Sequence, residues 1–367
     1  MPPPIACPAM RRSVTVLLAA AMALVAGLVG APRAGATQRH VAAAWTPAKG
    51  IAVDLSMANL LTDAQAMQIG SSLFSTLVTD FHANAVSFNF PFWQAGSSSN
   101  DPERRPMTPS PGRLAMLTEL ARSYGLAVQY RPYLYETNLV NMSRPSITPT
   151  NVPLWFQNYW TFLEPYLVSA SQAGATSFSV ALELTTLLPY LSDWERFVER
   201  ARTVFPGQIF YSQQHDPQET IPFTERGYDA YQPILVKPNQ ISVKTFTAGF
   251  IKNLQMAEMQ STPADLTIEE LGIPAVARAY LQPNYFHYSR PCVDGVTTRC
   301  TPIDRVVQTD WFAGACNAFY ALHLAGIYYW SINFNTFTTT TNDTDQLYAW
   351  LGTPTAHAIQ VCFARTS

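Results

Sequence analysis

Two glutamates stand where short β-rich runs end. Glu183 closes the run Phe178-Ser179-Val180-Ala181-Leu182-Glu183, and Glu270 closes Leu266-Thr267-Ile268-Glu269-Glu270. Two carboxyl groups across one glycosidic bond are the minimum equipment for hydrolysing it. One protonates the leaving oxygen. In retaining enzymes the other attacks the anomeric carbon, with the carboxyls ~5–5.5 Å apart. A strand-end acid can also be a structural partner for a loop arginine, and one glutamate alone would leave that reading open. Glu269 rivals Glu270, because adjacent residues of a strand point to opposite sides and only one can face a given space. Six histidines show no HExxH or HxxEH spacing, and no GxSxG, GxGxxG or P-loop pattern occurs. Metal-dependent proteolysis, acyl transfer and nucleotide binding therefore lack support.

The elements that must position these glutamates alternate along the chain. Strands are expected at Ile51–Leu55, Ala85–Phe90, Ala127–Tyr133, Phe178–Glu183, Gln208–Ser212, Asp229–Gln232, Leu266–Glu270 and Gly326–Ile332. Helices are expected at Leu61–Phe81, Ser110–Tyr124, Val152–Gln172, Ile241–Met259, Val306–Leu324 and Thr355–Phe363. Another is expected through Trp194, Phe197, Val198, Ala201 and Val204, which recur at three- and four-residue steps. Strands alternating with helices imply a parallel sheet, and about eight pairs imply closure. The fold class is α/β: a (β/α)8 TIM barrel over residues 49–367, in a single domain. In such a barrel the site lies at the C-terminal ends of the strands, where both glutamates fall. The long stretch Leu271–Ile303 leaves the seventh strand there and carries Tyr280, Tyr285, Cys292 and Cys300. Loops of that length are often functional.

Composition narrows the setting. Arg11 and Arg12 precede an uncharged apolar run from Ser13 to Ala31, and Ala34-Gly35-Ala36 offers a small-residue cleavage site. Residues 1–36 read as a signal peptide, with Met10 a candidate true start, and residues 37–48 as a lead-in. The remaining roughly 330 residues suit one barrel with loops. The expected protein is secreted, with no membrane segment after cleavage, and a monomer. Charged residues are only 13 % and net charge is -2, so a nucleic-acid partner is not expected. Aromatics reach 12 %, a supply that suits either sugar stacking or a large core. Four cysteines follow the signal; the expected disulfides are Cys292–Cys300, closing a short loop, and Cys316–Cys362, joining the last two helices.

Across most of the mature chain the sequence resembles glycoside hydrolase family 113, whose activity is β-1,4-mannanase, within the clan of retaining (β/α)8 glycosidases. The resemblance rests on short phrases in order. They include Thr108-Pro109-Ser110, Gly125-Leu126-Ala127-Val128, Arg131-Pro132, Trp155 and Tyr159. They continue through Ala181-Leu182-Glu183-Leu184, Tyr228-Asp229-Ala230-Tyr231 and Glu270-Leu271-Gly272-Ile273-Pro274. Gln308, Tyr320 and Ala325-Gly326-Ile327-Tyr328-Tyr329-Trp330 complete it. The resemblance implies Glu183 as general acid/base and Glu270 as nucleophile, and the Glu270-Leu271-Gly272 phrase prefers Glu270 over Glu269. It implies an aromatic floor at Trp330 and, at Tyr231 on strand six, a tyrosine holding the nucleophile. Asn89, Trp93, Gln213, His215 and Tyr285 are further candidates for lining subsites. One position departs: Leu182 stands where the clan has an asparagine that contacts a sugar hydroxyl. The leading expectation is an endo-acting glycosidase on β-1,4-mannan or a related polysaccharide, with no cofactor. A carbohydrate-binding barrel without turnover, and a glycosidase acting on another β-glycan, are the alternatives.

Overall fold

In the computed structural model, residues 45–135, 144–213, 223, 226–258, 265–284, 302–338 and 347–366 are described. Strands β1 (Ala48–Asp54), β2 (Ala85–Phe92), β3 (Ala127–Leu134) and β4 (Ser177–Leu182) are followed by β5 (Gln208–Gln213), β6 (Arg226–Asp229), β7 (Leu266–Leu271) and β8 (Gly326–Asn333). They pair in chain order, every pair parallel, and β8 closes on β1. Seven helices are seen among the described residues: α1 (Asp63–Thr79), α2 (Pro111–Ser123), α3 (Val152–Ala173), α4 (Leu191–Val204), α5 (Val243–Glu258), α6 (Arg305–Leu322) and α7 (Pro354–Phe363). The expected (β/α)8 TIM barrel is thus the observed fold, and Ala44–Ser367 form one domain.

Local sequence sets most helix starts. Thr62 and Gln65 cap α1 reciprocally, each side chain taking the other's backbone N–H. Ser110 caps α2 and Asn151 caps α3, each with proline in the first turn. Asp304 accepts from Val306 N and Val307 N at the start of α6. Gly174 ends α3 at φ 77°, a left-handed turn that glycine adopts without penalty.

Period-two alternation then sorts each strand into two environments. On β2, Phe88, Phe90 and Phe92 face the helices, where they meet Phe74, Tyr166 and Phe162 at 6.0, 5.0 and 5.2 Å between centroids. On β3, Val128 and Tyr130 do the same, and the buried Tyr130 hydroxyl is satisfied by Thr118 at 2.8 Å. The intervening Ser87, Asn89, Gln129 and Arg131 are all buried and face the barrel interior. The outer layer is therefore an aromatic core, each buried ring contributing about 2–3 kcal/mol from area alone. The interior is polar.

Three sequence expectations change. Strand six lies at Arg226–Asp229 rather than Asp229–Gln232, because the polar Arg226 and Gly227 hide a strand that pairs with Leu266 and Thr267. Tyr231 therefore sits just beyond the strand, not on it. The lead-in ends earlier than residue 48: Trp45 donates to Leu324 O at 3.0 Å and packs on Phe319 and Tyr320, and β1 begins at Ala48. The stretch after β7 is not structureless throughout; Val276 bridges Ile303, and Tyr280 is fully buried. Cys316–Cys362 is bonded, linking α6 to α7 across 46 residues, a closure worth about 4 kcal/mol in chain entropy. Cys292 and Cys300 lie outside the described residues.

Candidate active site

Arg131 organises the C-terminal mouth of the barrel. It is wholly buried on β3. Its Nη2 donates to Asp229 Oδ1 on β6 at 2.5 Å, and its Nη1 to Glu270 Oε1 on β7. Nη1 also reaches Asn89 Oδ1 on β2 at 3.1 Å, and Nε reaches Ser212 Oγ on β5 at 3.1 Å. One planar fork thus joins five strands, a geometry that lysine could not reproduce. Burial would lower the Arg131 pKa, but the Asp229 and Glu270 carboxylates outweigh it and hold the guanidinium above its ordinary value.

Glu270 receives a donor on each oxygen: Arg131 on Oε1, and the Tyr231 hydroxyl on Oε2 at 2.9 Å. It is 8 % exposed, so a small opening toward the mouth remains. Tyr231, although past the end of β6, does reach the glutamate that the resemblance gave it.

Glu269 does not point away from the barrel, as alternation required. β7 carries a bulge here: Tyr228 pairs with Ile268, and Asp229 pairs with Glu270, so Glu269 is the extra residue. The bulge lets both neighbours face inward. Glu269 accepts a hydrogen bond from Gln129 on β3 and lies against Gly227, where any Cβ would come within 2.5 Å of Glu269 Cγ. Burial pushes the Glu269 carboxyl up to about 7, against the pull of Arg131 and the Gln129 hydrogen bond. Burial also raises Asp229 well above the usual range. Arg131 opposes that shift, and Glu270, Glu183 and Glu269 add to it. One guanidinium therefore faces three interior carboxyls, and Asp229 Oδ2 has no hydrogen-bond partner among the described residues.

Glu183 is differently held. It follows β4 directly, half-buried, with its backbone at φ 51°. That left-handed conformation is uncommon for a residue with a side chain and costs of order 1 kcal/mol. Its N–H donates to Ser212 O at 2.9 Å. Arg144 Nε stands 3.7 Å from Glu183 Oε2, and the same guanidinium lies 5.5 Å above the Tyr133 ring. The preceding Leu182 is buried and in register with Ser212.

Trp330 is half-buried on β8, and its peptide bond to Ser331 is cis. A Cβ at Gly272 would lie 3.2 Å from Tyr231 Oη and 3.4 Å from Trp330, so the two aromatic side chains flank one point of the mouth. Asn89 is fully buried and supports Arg131 instead of lining a subsite. Trp93 is 3 % exposed, packed on Tyr135 at 5.2 Å with Arg105 over its ring, so it offers no open face. Gln213 ends β5 and is 1 % exposed. His215 and Tyr285 lie outside the described residues.

Sequence reasoning passed over Arg131 and Asp229 as site residues. A signal existed. Strands of a parallel barrel are apolar on both faces, yet polar residues recur at every second place in Ser87-Phe88-Asn89 and in Gln129-Tyr130-Arg131-Pro132-Tyr133.

No protein-family model matches the sequence, and no curated protein matches it. Solved structures do. A glycoside hydrolase family 113 β-1,4-mannanase superposes with a TM-score of 0.70 at 14 % identity, covering 87 % of this chain and 99 % of that one. The family 113 β-mannanase of Alicyclobacillus acidocaldarius, in complex with ManMIm, gives 0.67 at 17 % identity over 86 % and 97 %. A glycoside hydrolase family 5 mannosidase from Rhizomucor miehei gives 0.50 at 11 % identity over 87 % and 92 %. At these identities the likeness establishes a shared barrel.

Proposed function

We propose that this chain is a secreted retaining glycoside hydrolase, endo-acting on β-1,4-mannan or a related polysaccharide. The observation that carries the reading is the unequal holding of two strand-end glutamates. Glu270 is clamped by Arg131 on one oxygen and Tyr231 on the other, and keeps a small exposure. Glu183 has left-handed backbone at the end of β4, and its carboxyl is near enough to act on Asp229, which shares Arg131 with Glu270, electrostatically. Left-handed backbone at a non-glycine residue persists where its surroundings enforce it, and such residues cluster at functional sites. Solved mannanases of the same fold support the substrate class.

In this reading Glu270 attacks C1 of the sugar while Glu183 gives its proton to the departing glycosidic oxygen. The C1–oxygen bond breaks and a glycosyl ester of Glu270 forms. Glu183, now a carboxylate, takes a proton from water, the water oxygen bonds to C1, and Glu270 leaves as the carboxylate. Trp330 would hold the apolar face of the reacting sugar. Leu182 supplies no hydrogen bond to a hydroxyl, so affinity at that point must come from other residues.

The purified protein, incubated with mannan, glucomannan, cellulose and xylan, should release reducing ends from the mannose-containing polymers. Proton NMR should show the first product in the β configuration before mutarotation. An α product overturns double displacement. Binding of these polymers without release of reducing ends overturns the hydrolase and leaves a carbohydrate-binding barrel.

A further inference from the structure

Asp54 is the last residue of β1, at the same mouth and two strands round the barrel from β7, with β8 between them. It is in register with Asn89 on β2 and with Asn333 on β8. Its carboxylate is half-buried and held in a fixed orientation by one neighbour. Ser56 N donates to Oδ1 at 2.9 Å and Ser56 Oγ donates to Oδ2 at 2.8 Å. Two further donors stand back. Tyr133 Oη is 3.4 Å from Oδ1, and Asn333 Nδ2 is 3.5 Å from Oδ2. Both distances are at the far limit of hydrogen bonding, well beyond the 2.7–3.0 Å that such pairs prefer. Asn333 spends its carbonyl on Asn335 N and Thr336 N, which aims the amide of this half-buried side chain rather than leaving it to rotate.

We propose that Asp54 selects the sugar at the cleavage point, its two carboxylate oxygens accepting hydrogen bonds from two adjacent ring hydroxyls. This rests on the glycosidase reading above and extends it to substrate choice. Each carboxylate oxygen already takes one strong bond from Ser56 and one long contact, so each has a lone pair to give. A sugar hydroxyl is both donor and acceptor. It can donate to Asp54 and accept from Tyr133 or Asn333, converting two long contacts into short ones. The connection to the reacting centre runs through two side chains: Tyr133 touches Asp54 on one side and lies under Arg144 on the other, and Arg144 faces Glu183. Burial raises the Asp54 pKa, and the bonds from Ser56, Tyr133 and Asn333 only oppose that shift, so added hydroxyl donors would settle the carboxylate further.

The test uses the full chain and aryl β-mannobiosides, intact and lacking in turn each free hydroxyl of the sugar next to the leaving group. On the intact substrate, Asp54→Ala should lower kcat/KM about 100-fold and Asn333→Ala about 10-fold, the range for hydrogen bonds involving a charged group. On the substrate lacking a bonded hydroxyl, the same variants should differ from wild type by less than about threefold, the non-additivity of directly interacting groups. Thermal midpoints of both variants should stay close to wild type. Equal losses on every substrate, or no loss in either variant, overturn the proposal while leaving the glycosidase reading intact. A wild type that cleaves no aryl glycoside overturns that reading. Calorimetric binding of mannobiose then decides Asp54 by itself: loss of binding in Asp54→Ala supports it, while equal binding, or none in wild type, overturns it.

Discussion

The β7 and β4 ends of the barrel each offer a glutamate, and they are built on opposite plans. At β7 the side chain is fixed and the backbone is ordinary strand with a bulge. Glu270 has a donor on each oxygen; both donors are buried, and Arg131 is braced in turn by Asn89, Ser212 and Asp229. At β4 the backbone is the special part. Glu183 is held by its left-handed φ and by the bond from its N–H to Ser212, while its carboxyl has a looser cation 3.7 Å away. The difference suits two tasks. A nucleophile must wait as an anion in one place, whereas a proton carrier must gain and lose charge without rebuilding its surroundings.

Removing each carboxyl breaks the comparison most directly. Glu270→Ala should lower kcat by about 10⁴-fold or more on every substrate, because no other group can form the ester. Glu183→Ala should do comparable harm on polysaccharide but far less on a dinitrophenyl glycoside, whose leaving group departs without a proton. Azide should restore turnover of that substrate in Glu183→Ala by attacking the glycosyl ester in place of activated water, giving a β-glycosyl azide, whereas any rescue of Glu270→Ala should give the α-glycosyl azide, formed by a single displacement. Identical profiles for the two variants would erase the distinction between the two ends.

The next effect is on stability. Arg131→Met removes the only cation in contact with Asp229 and Glu270 among the described residues, leaving Asp229, Glu269 and Glu270 to repel inside the barrel. Breaking a buried pair in this way costs about 3–5 kcal/mol. Arg144→Ala, at a longer and partly exposed pair, should cost no more than about 1 kcal/mol. Urea midpoints of both variants measure this. Equal costs would mean that the two glutamates are held alike.

How much of this was legible in the sequence depends on which physical rule was at work. Seven of the eight strands, the seven helices and the Cys316–Cys362 link followed from periodicity and order along the chain. Both glutamates were visible because strand ends are sites in a closed parallel barrel. Arg131 was quoted but not recognised, because its meaning depends on Asp229 and Glu270, 98 and 139 residues away. The bulge at Glu269 was invisible for a related reason. The inward place of Glu269 depends on Gly227 of β6, where a Cβ would come within 2.5 Å of Glu269 Cγ, and nothing in Leu266–Leu271 alone announces it. Tyr231 was assigned the right partner from the wrong position, since the phrase Tyr228-Asp229-Ala230-Tyr231 keeps its spacing whether the strand starts at 226 or 229.

The smallest effect concerns that bulge, and its sign can be worked out. The Glu269 carboxyl is raised from 4.5 to about 7 in the folded chain. The folded state therefore holds this proton where the unfolded chain has released it. Stability falls when the unfolded state binds fewer protons, so wild type loses stability as pH rises from about 4.5 to 7, and nothing more from this group above that. Glu269→Gln keeps the shape of the protonated acid, still accepts from Gln129 and cannot ionise. The variant should match wild type near pH 4 and become the more stable of the two by pH 8. The shift of about 2.5 pH units sets an upper bound of about 3 kcal/mol on that gap. Urea unfolding at pH 4, 6 and 8 reads it directly. A gap that is constant with pH would show that Glu269 does not titrate beneath Glu270. A gap that opens the other way would mean that the interior needs its third negative charge, and that the β7 end is stabilised by more than the Arg131 fork.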